Sequence, residues 1–283
     1  MNITLIGTGL IGFNIAKRLC EFNNEIYVYN RTKEKALPLE NYGAKVLDNL
    51  SDIDSDFIIG VLTDYSSYLD IFDKMTNLKN KTFIQMGTIS SNENLELEKI
   101  CKSMKCDYIE APVLGSKKEA ESGTLLIMSS GKENVYNKCK PIFEQISEKN
   151  LFVGDIGKAS NLKLALNQLI ASLSSAFSLS LGIVQKSEID INIFMDILRS
   201  SSFYAPTFDK KLSNMINKDF ENPNFPTKHL LKDVDLILDI SKDFELKTNA
   251  LEGVKSNIEK AIEIGLSDKD YSSVFMAIFN ENI

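Results

Sequence analysis

Residues 3–20 read ITLIGTGLIGFNIAKRLC, and residues 26–31 read IYVYNR. The apolar run Ile3–Ile6 has strand character and ends in a G-x-G-x-x-G turn, with glycines at Gly7, Gly9 and Gly12. Ile11, Ile15 and Leu19 then recur at helical spacing, and Ile26–Tyr29 forms a second β-like run. This strand–turn–helix–strand order is the setting in which the glycine triplet points to a dinucleotide site. Gly7 permits the tight turn, Gly9 lets the backbone approach a pyrophosphate, and Gly12 lets the helix lie close to the strand. Free N–H groups at the helix start would face the phosphates. The expected cofactor contacts are therefore Gly7, Thr8, Gly9, Leu10, Ile11 and Gly12.

The end of the second strand bears on which dinucleotide binds. An NAD site usually has Asp or Glu there to accept from the ribose 2′-hydroxyl. Here the chain reads Asn30-Arg31-Thr32, with no acid. Asn30 can reach a ribose oxygen, the Arg31 guanidinium suits a 2′-phosphate, and Thr32 adds a hydroxyl. NADP(H) is the expected cofactor, with NAD(H) as the second choice. Leu62 and Thr63, where the run Phe57–Leu62 ends, are expected at the same site.

A chain of 283 residues has room for two domains. Its 43% hydrophobic and 25% charged residues are ordinary for a globular protein, and a net charge of −7 argues against a nucleic-acid binder. Met1 runs straight into the first strand, so neither a targeting segment nor a membrane partner is expected. The four cysteines form no C-x-x-C pair and there is one histidine, His229, which supports neither a metal site nor a disulfide framework. Reduced thiols in a cytoplasmic protein are the expectation.

Short apolar runs recur at Lys45–Leu47, Phe57–Leu62, Thr82–Met86, Asp107–Pro112, Leu125–Ser129 and Leu151–Val153, separated by helical or loop segments. This alternation predicts an α/β Rossmann-type doubly wound, mostly parallel sheet over residues 1–156. An all-α C-terminal domain is expected over residues 157–283. Its first helix, Lys158–Lys186, has no charged residue for 22 positions from Leu164 to Gln185, though five serines interrupt that run. Those serines make it too polar for a membrane span. Burial in a core or between subunits is expected instead.

Lys163 stands just before the uncharged run and Asn167 lies one turn on, so both share a helix face. A lysine at the edge of a buried helix loses hydration, which favours its neutral form and suits it to exchange a proton with a carbonyl oxygen. On spacing alone, a lysine that snorkels to the surface at the start of a helix is the commoner meaning. The stretch Glu110–Leu125 runs from a strand end into a turn, where Gly115 and Ser116 can offer donors to a carboxylate. Thr88 ends another strand, near where a nicotinamide or ribose would lie. Lys232 and Asp233 open a helix and either face the cleft or form a solvated pair.

Taken together, GTGLIG (7–12), NRT (30–32), MGTIS (86–90), EAPVLGSKKEAESGTL (110–125), GKASNLKLALN (157–167) and FPTKHLLKD (225–233) resemble the β-hydroxyacid dehydrogenase family. Within it they resemble the glyoxylate/succinic semialdehyde reductase branch. The resemblance implies that Lys163 is the catalytic acid/base, that Asn167 orients substrate, and that Gly115 and Ser116 line a carboxylate site. It further implies that Thr88 and Lys232 touch the cofactor and that Asp233 supports the site. One position departs: members commonly carry APVSG, and here Leu114 replaces that serine, giving the substrate loop an apolar wall.

These readings predict an NADPH-dependent reductase of small aldehyde or 2-oxo acids, with no metal, forming a homodimer or homotetramer. A 3-hydroxyisobutyrate-type dehydrogenase or an imine reductase is the rival enzyme. A catalytically silent NADP-binding regulatory module is the rival from another class; Lys163 with Asn167 argues against it and Leu114 for it.

Overall fold

The computed structural model describes residues 1–280. They form two compact units that divide between Leu164 and Ala165. In chain order the first unit holds β1 (Asn2–Ile6), α1 (Gly12–Cys20), β2 (Glu25–Tyr29), β3 (Lys45–Val46), β4 (Phe57–Gly60), α2 (Tyr65–Phe72) and β5 (Thr82–Gln85). It continues through α3 (Ser91–Ser103), β6 (Asp107–Glu110), β7 (Val113–Leu114), α4 (Lys117–Ser122), β8 (Leu125–Gly131), α5 (Glu133–Ile146) and β9 (Ser147–Gly154). Helix α6 (Lys158–Lys186) contributes residues to both units.

The sheet order is β3-β2-β1-β4-β5-β6-β8-β7, with β9 on the far side of β8. Strands β1 to β6 are mutually parallel. Successive residues of each central strand go to opposite faces, which winds helices onto both. Leu5, Ile59, Ile84 and Ile109 pack with α1 and α5, through Ile15, Leu19, Cys139 and Phe143. Ile6, Ile58, Phe83 and Tyr108 pack with α2 and α3, through Tyr68, Phe72 and Leu97. Apolar residues on both faces explain why the strands read as continuous rather than alternating runs. Local signals set the helix starts. Asp64 accepts from the Ser67 N–H ahead of α2, and Ser90 with Glu93 forms a reciprocal capping box ahead of α3.

The sheet is mostly parallel, as expected, and departs from that at one edge. Strand β8 runs antiparallel to both β6 and β7, and β9 is parallel to β8. Between β6 and β8 the chain makes only a short excursion through β7 and the six-residue helix α4. A parallel return needs a long crossover, whereas an antiparallel one does not. Strands β3 to β6 also stop short of their apolar runs, β4 at Gly60 and β5 at Gln85, while β8 and β9 are longer than expected.

In the second unit, the later part of α6 is followed by α7 (Ile191–Ser200), α8 (Pro206–Asn217), α9 (Thr227–Asp243), α10 (Asn249–Glu263) and α11 (Val274–Phe279). Among the described residues it contains no named strand. Its core gathers Phe177, Leu181, Met195, Leu198, Phe208, Met215, Phe275 and Phe279, with Phe177 stacked on Phe208 at 4.7 Å between ring centroids. Within the chain α6 is not enclosed on all sides, contrary to the simplest form of the sequence reading. Leu164, Ala171, Phe177 and Leu181 are buried, but Leu169, Leu179 and Ile183 are 51%, 56% and 59% exposed. The uncharged run is thus two apolar faces, one packed and one presented.

Candidate active site

The turn after β1 is shaped by contacts that admit no side chain. A Cβ on Gly12 would lie 1.9 Å from the Gly7 carbonyl oxygen, whereas one on Gly9 would meet nothing within 4 Å. Gly12 is therefore required by packing, and Gly9 leaves bare backbone open to a ligand. Leu10 is exposed at the same turn, while Ile11 packs against the core. Asn30 ties this turn to the end of β2. Its Oδ1 accepts from the Thr8 N–H at 3.0 Å, and its Nδ2 donates to the Thr32 carbonyl at 2.8 Å. A ribose contact by Asn30 would therefore share an amide already engaged in holding the two segments together.

A cleft of about 230 Å³ opens beside the turn, lined by Gly7, Gly9, Asn30, Arg31, Thr32, Lys35, Leu62, Thr63, Asp70 and Lys74, among others. Lys35 and Lys74 were not apparent as site residues in the sequence. Lys35 stands four residues after Arg31, a spacing that could have flagged it, whereas Lys74 reaches the cleft only through the fold. Three cations against one carboxylate suit a ligand carrying several phosphates. Thr8 Oγ1 is buried without a hydrogen-bond partner, a polar atom left for a ligand to satisfy. A phosphorylated dinucleotide therefore fits the residues present.

Tyr68 supports the same cleft from beneath. It is fully buried, and its hydroxyl donates to the Gly60 carbonyl at 2.9 Å. The same oxygen accepts from the N–H groups of Leu62 at 3.3 Å and Gly87 at 3.1 Å. One phenol thus joins the loops that leave β4 and β5. Thr88 follows Gly87, half-buried and outside the residues lining the cleft.

The loop after β6 holds Leu114, paired with Leu126 across the antiparallel β7–β8 ladder, and then Gly115 and Ser116. Both the N–H and the hydroxyl of Ser116 bond to Glu119 Oε2, the former at 2.8 Å. These donors, expected to face a carboxylate, serve the start of α4 in this structure. Lys163 is buried on α6, within the first unit.

The remaining candidates lie in the second unit. Asn167 and Asp233 are each 2% exposed, and Asn167 Nδ2 donates to Asp233 Oδ2 at 2.6 Å. Lys232 Nζ stands 2.8 Å from Asp233 Oδ1, so Asp233 serves both an ammonium and an amide. Because a carboxylate only accepts, the Asn167 amide is oriented with its nitrogen toward Asp233. Its Oδ1 is left buried without a hydrogen-bond partner. Such an oxygen can accept from a hydroxyl but gives nothing to a carbonyl. Burial and the Lys232 and Lys228 charges hold the His229 imidazole below its ordinary 6.5, against the opposing pull of Asp233 and Asp268.

Residues 2–154 match the family model described as the NAD binding domain of 6-phosphogluconate dehydrogenase. Residues 157–278 match the one described as NAD-binding of NADP-dependent 3-hydroxyisobutyrate dehydrogenase. Glyoxylate/succinic semialdehyde reductase 1 of Arabidopsis thaliana is 28% identical over 285 residues, spanning 98% of each chain. The cytokine-like nuclear factor N-PAC of Drosophila melanogaster is 27% identical over 279 residues, which are 96% of this chain and 46% of that one. Among solved structures, 3-hydroxyisobutyrate dehydrogenase of Mycobacterium tuberculosis aligns with a TM-score of 0.85 over 98% of both chains at 20% identity, a likeness of fold.

Proposed function

The chain belongs to the β-hydroxyacid dehydrogenase family of NAD(P)-dependent oxidoreductases, and from that premise we propose that it is an NADPH-dependent reductase of short aldehyde and 2-oxo acids, of the glyoxylate or succinic semialdehyde type. Arg31, Lys35 and Lys74 hold the phosphorylated ribose end of the cofactor, and the bare backbone at Gly9 accommodates its pyrophosphate. The bound nicotinamide would supply the hydride that reaches the carbonyl carbon. Lys163 gives a proton to the carbonyl oxygen as charge builds there, and takes it back in the oxidative direction. Asn167, oriented by Asp233, accepts from the hydroxyl so formed. The observation that carries the reading is this pairing on α6: a buried lysine, and one turn later a buried amide whose oxygen Asp233 leaves open.

The likeness to N-PAC, a relative named as a nuclear factor and not as an enzyme, leaves room for one other reading, an NADP-binding module without turnover. One experiment separates them. NADPH and NADH oxidation are followed with glyoxylate, succinic semialdehyde, longer aldehyde acids and cyclic imines, and NADP+ reduction with 3-hydroxyisobutyrate. Turnover of aldehyde acids with NADPH at least tenfold more efficient than with NADH supports the reductase. Tight NADPH binding without turnover of any of them overturns it.

The proposal extends to assembly and location. Leu179 and Ile183 on α6, Ile193 and Ile197 on α7, and Phe203 after it are all more than half exposed. Large apolar side chains gathered on neighbouring helices favour burial against a second copy. A dimer or tetramer in sedimentation at micromolar concentration supports this; a monomer refutes it. Four free thiols, three of them buried, favour the cytoplasm.

A further inference from the structure

Glu110 is a buried carboxylate for which the mechanism above has no use. It ends β6 and is fully buried, as are its neighbours Ile109 and Ala111. A charge-bearing group at such a position is unfavourable unless it is paired with donors, and an apolar residue would pack there without that penalty. Glu110 Oε1 accepts from the backbone N–H of Gly157 at 2.6 Å and of Ala159 at 3.2 Å, and from the Ser130 hydroxyl. Ser130 Oγ in turn accepts from the Ala159 N–H at 3.1 Å. Glu110 and Ser130 sit directly opposite one another on β6 and β8. Burial pushes the Glu110 carboxyl up, and its donors, Ser130, Gly157 and Ala159, pull the other way.

These donors open α6. Gly157 immediately precedes the helix and Ala159 is its second residue, so both belong to the group of N–H donors that a helix start leaves unsatisfied. Ala159 lies one turn before Lys163 on the same face. A shift of the first turn therefore passes directly to the lysine. In the other direction along the chain, Glu110 leads through Ala111 and Pro112 into the loop that carries Leu114, Gly115 and Ser116.

We propose that Glu110 is a positioning residue: through Gly157 and Ala159 its carboxylate fixes the opening of α6, and with it Lys163, to the strand end from which the Val113–Ser116 loop leaves. The proposal rests on Lys163 being the proton donor. A carboxylate that only stabilised the fold would affect unfolding and leave the turnover of folded protein unchanged. One that sets the lysine's place lowers kcat while NADPH binding, made by residues after β1, β2 and β4 that Glu110 does not touch, persists.

The test compares Glu110→Ala, Glu110→Gln and Ser130→Ala with wild type in melting, NADPH affinity, kcat, KM and hydrogen exchange of residues 157–163. Displacement of a reacting group by about an ångström can lower a rate by about 10²-fold. Glu110→Ala is therefore expected to lose about that factor in kcat, with NADPH Kd within about threefold of wild type and faster exchange at 157–163. Glu110→Gln keeps the acceptor oxygen and is expected to recover kcat to within about tenfold of wild type. A folded Glu110→Ala with kcat within about twofold of wild type overturns the proposal, as does a loss of NADPH affinity as large as the loss in kcat. Should Glu110→Ala not fold, Ser130→Ala decides, since it removes the hydroxyl that bonds both Glu110 and the Ala159 N–H: slower turnover with faster exchange at 157–163 supports the assignment, and wild-type values of both overturn it. If Lys163→Ala proves as active as wild type, the functional reading fails. Exchange at 157–163 then still reports whether Glu110 holds the helix.

Discussion

Replacing Tyr68 by Phe removes one oxygen and leaves the ring where it packs edge-on to Phe83, at 6.2 Å between centroids. The effect can be worked from the bonds that oxygen makes. Burial pushes the phenol well up, so it stays protonated and donates at any working pH. Its donor bond goes to the Gly60 carbonyl, which also accepts from the Met86 N–H at 2.8 Å and is not orphaned by the change. The Leu62 and Gly87 N–H groups lose the bonds they make to the phenol. At roughly 0.5–1.5 kcal/mol for each of three bonds, and more where a donor is stranded, the loss is about 2–4 kcal/mol. For a protein of this size that lowers Tm by about 3–7 °C. Because Leu62 and Thr63 line the cofactor cleft, loosening their loop should weaken NADPH and NADH by similar factors. Scanning calorimetry and fluorescence titration with each cofactor measure both effects. A melting point within about 1 °C of wild type, or a loss confined to NADPH, would refute the assignment of Tyr68 as the tie between the two loops.

Four further outcomes are expected. Lys163→Ala should lose about 10²–10⁴-fold in kcat while still binding NADPH, measured by stopped-flow and equilibrium titration; retention of half the turnover removes the lysine from the mechanism. Arg31→Ala should raise the NADPH Kd by roughly one to two decades and leave NADH nearly unchanged, since only NADPH carries the 2′-phosphate; equal losses would show no role in the choice. Leu114→Ser should lower KM for glyoxylate and raise it for a longer, branched semialdehyde, and two unchanged values would place Leu114 away from the substrate. His229 is the single histidine, so one imidazole proton resonance reports it, and its midpoint should fall below 6.5. With the folded value lowered, the unfolded chain takes up the proton first, so stability from this group is lost as pH falls through and below 6.5. His229→Gln should flatten that loss in denaturant titrations, and an unchanged pH dependence would contradict the burial argument.

The first βαβ unit was legible because each of its signals is local. A glycine whose Cβ would fall 1.9 Å from a carbonyl oxygen five residues back admits no substitute, and apolar spacing of two kinds on either side names the strand and the helix. The same holds for Arg31, which is visible as the residue standing where an acid would choose NAD. The pairing of Lys163 with Asn167 is also local, a matter of helix pitch. The antiparallel edge was not legible, because a β run carries no direction; only the route of the chain through β7 and α4 sets it.

By itself, then, the sequence determined the doubly wound unit and the helical second half, since both follow from sterics and periodicity within a few turns of chain, and it marked the residues proposed to meet cofactor and substrate. Only the tertiary structure decided what holds those residues in place. Lys74 joins Arg31 at one cleft, Tyr68 bridges two loops, Glu110 meets the amides of α6 47 and 49 positions away, and Asp233 turns the Asn167 amide from 66 positions away. Tyr68, Glu110 and Asp233 are buried polar groups whose partners lie far along the chain. Nothing in the neighbouring residues marks such a pair, and it forms because desolvation makes leaving either member unpaired more unfavourable than folding them together.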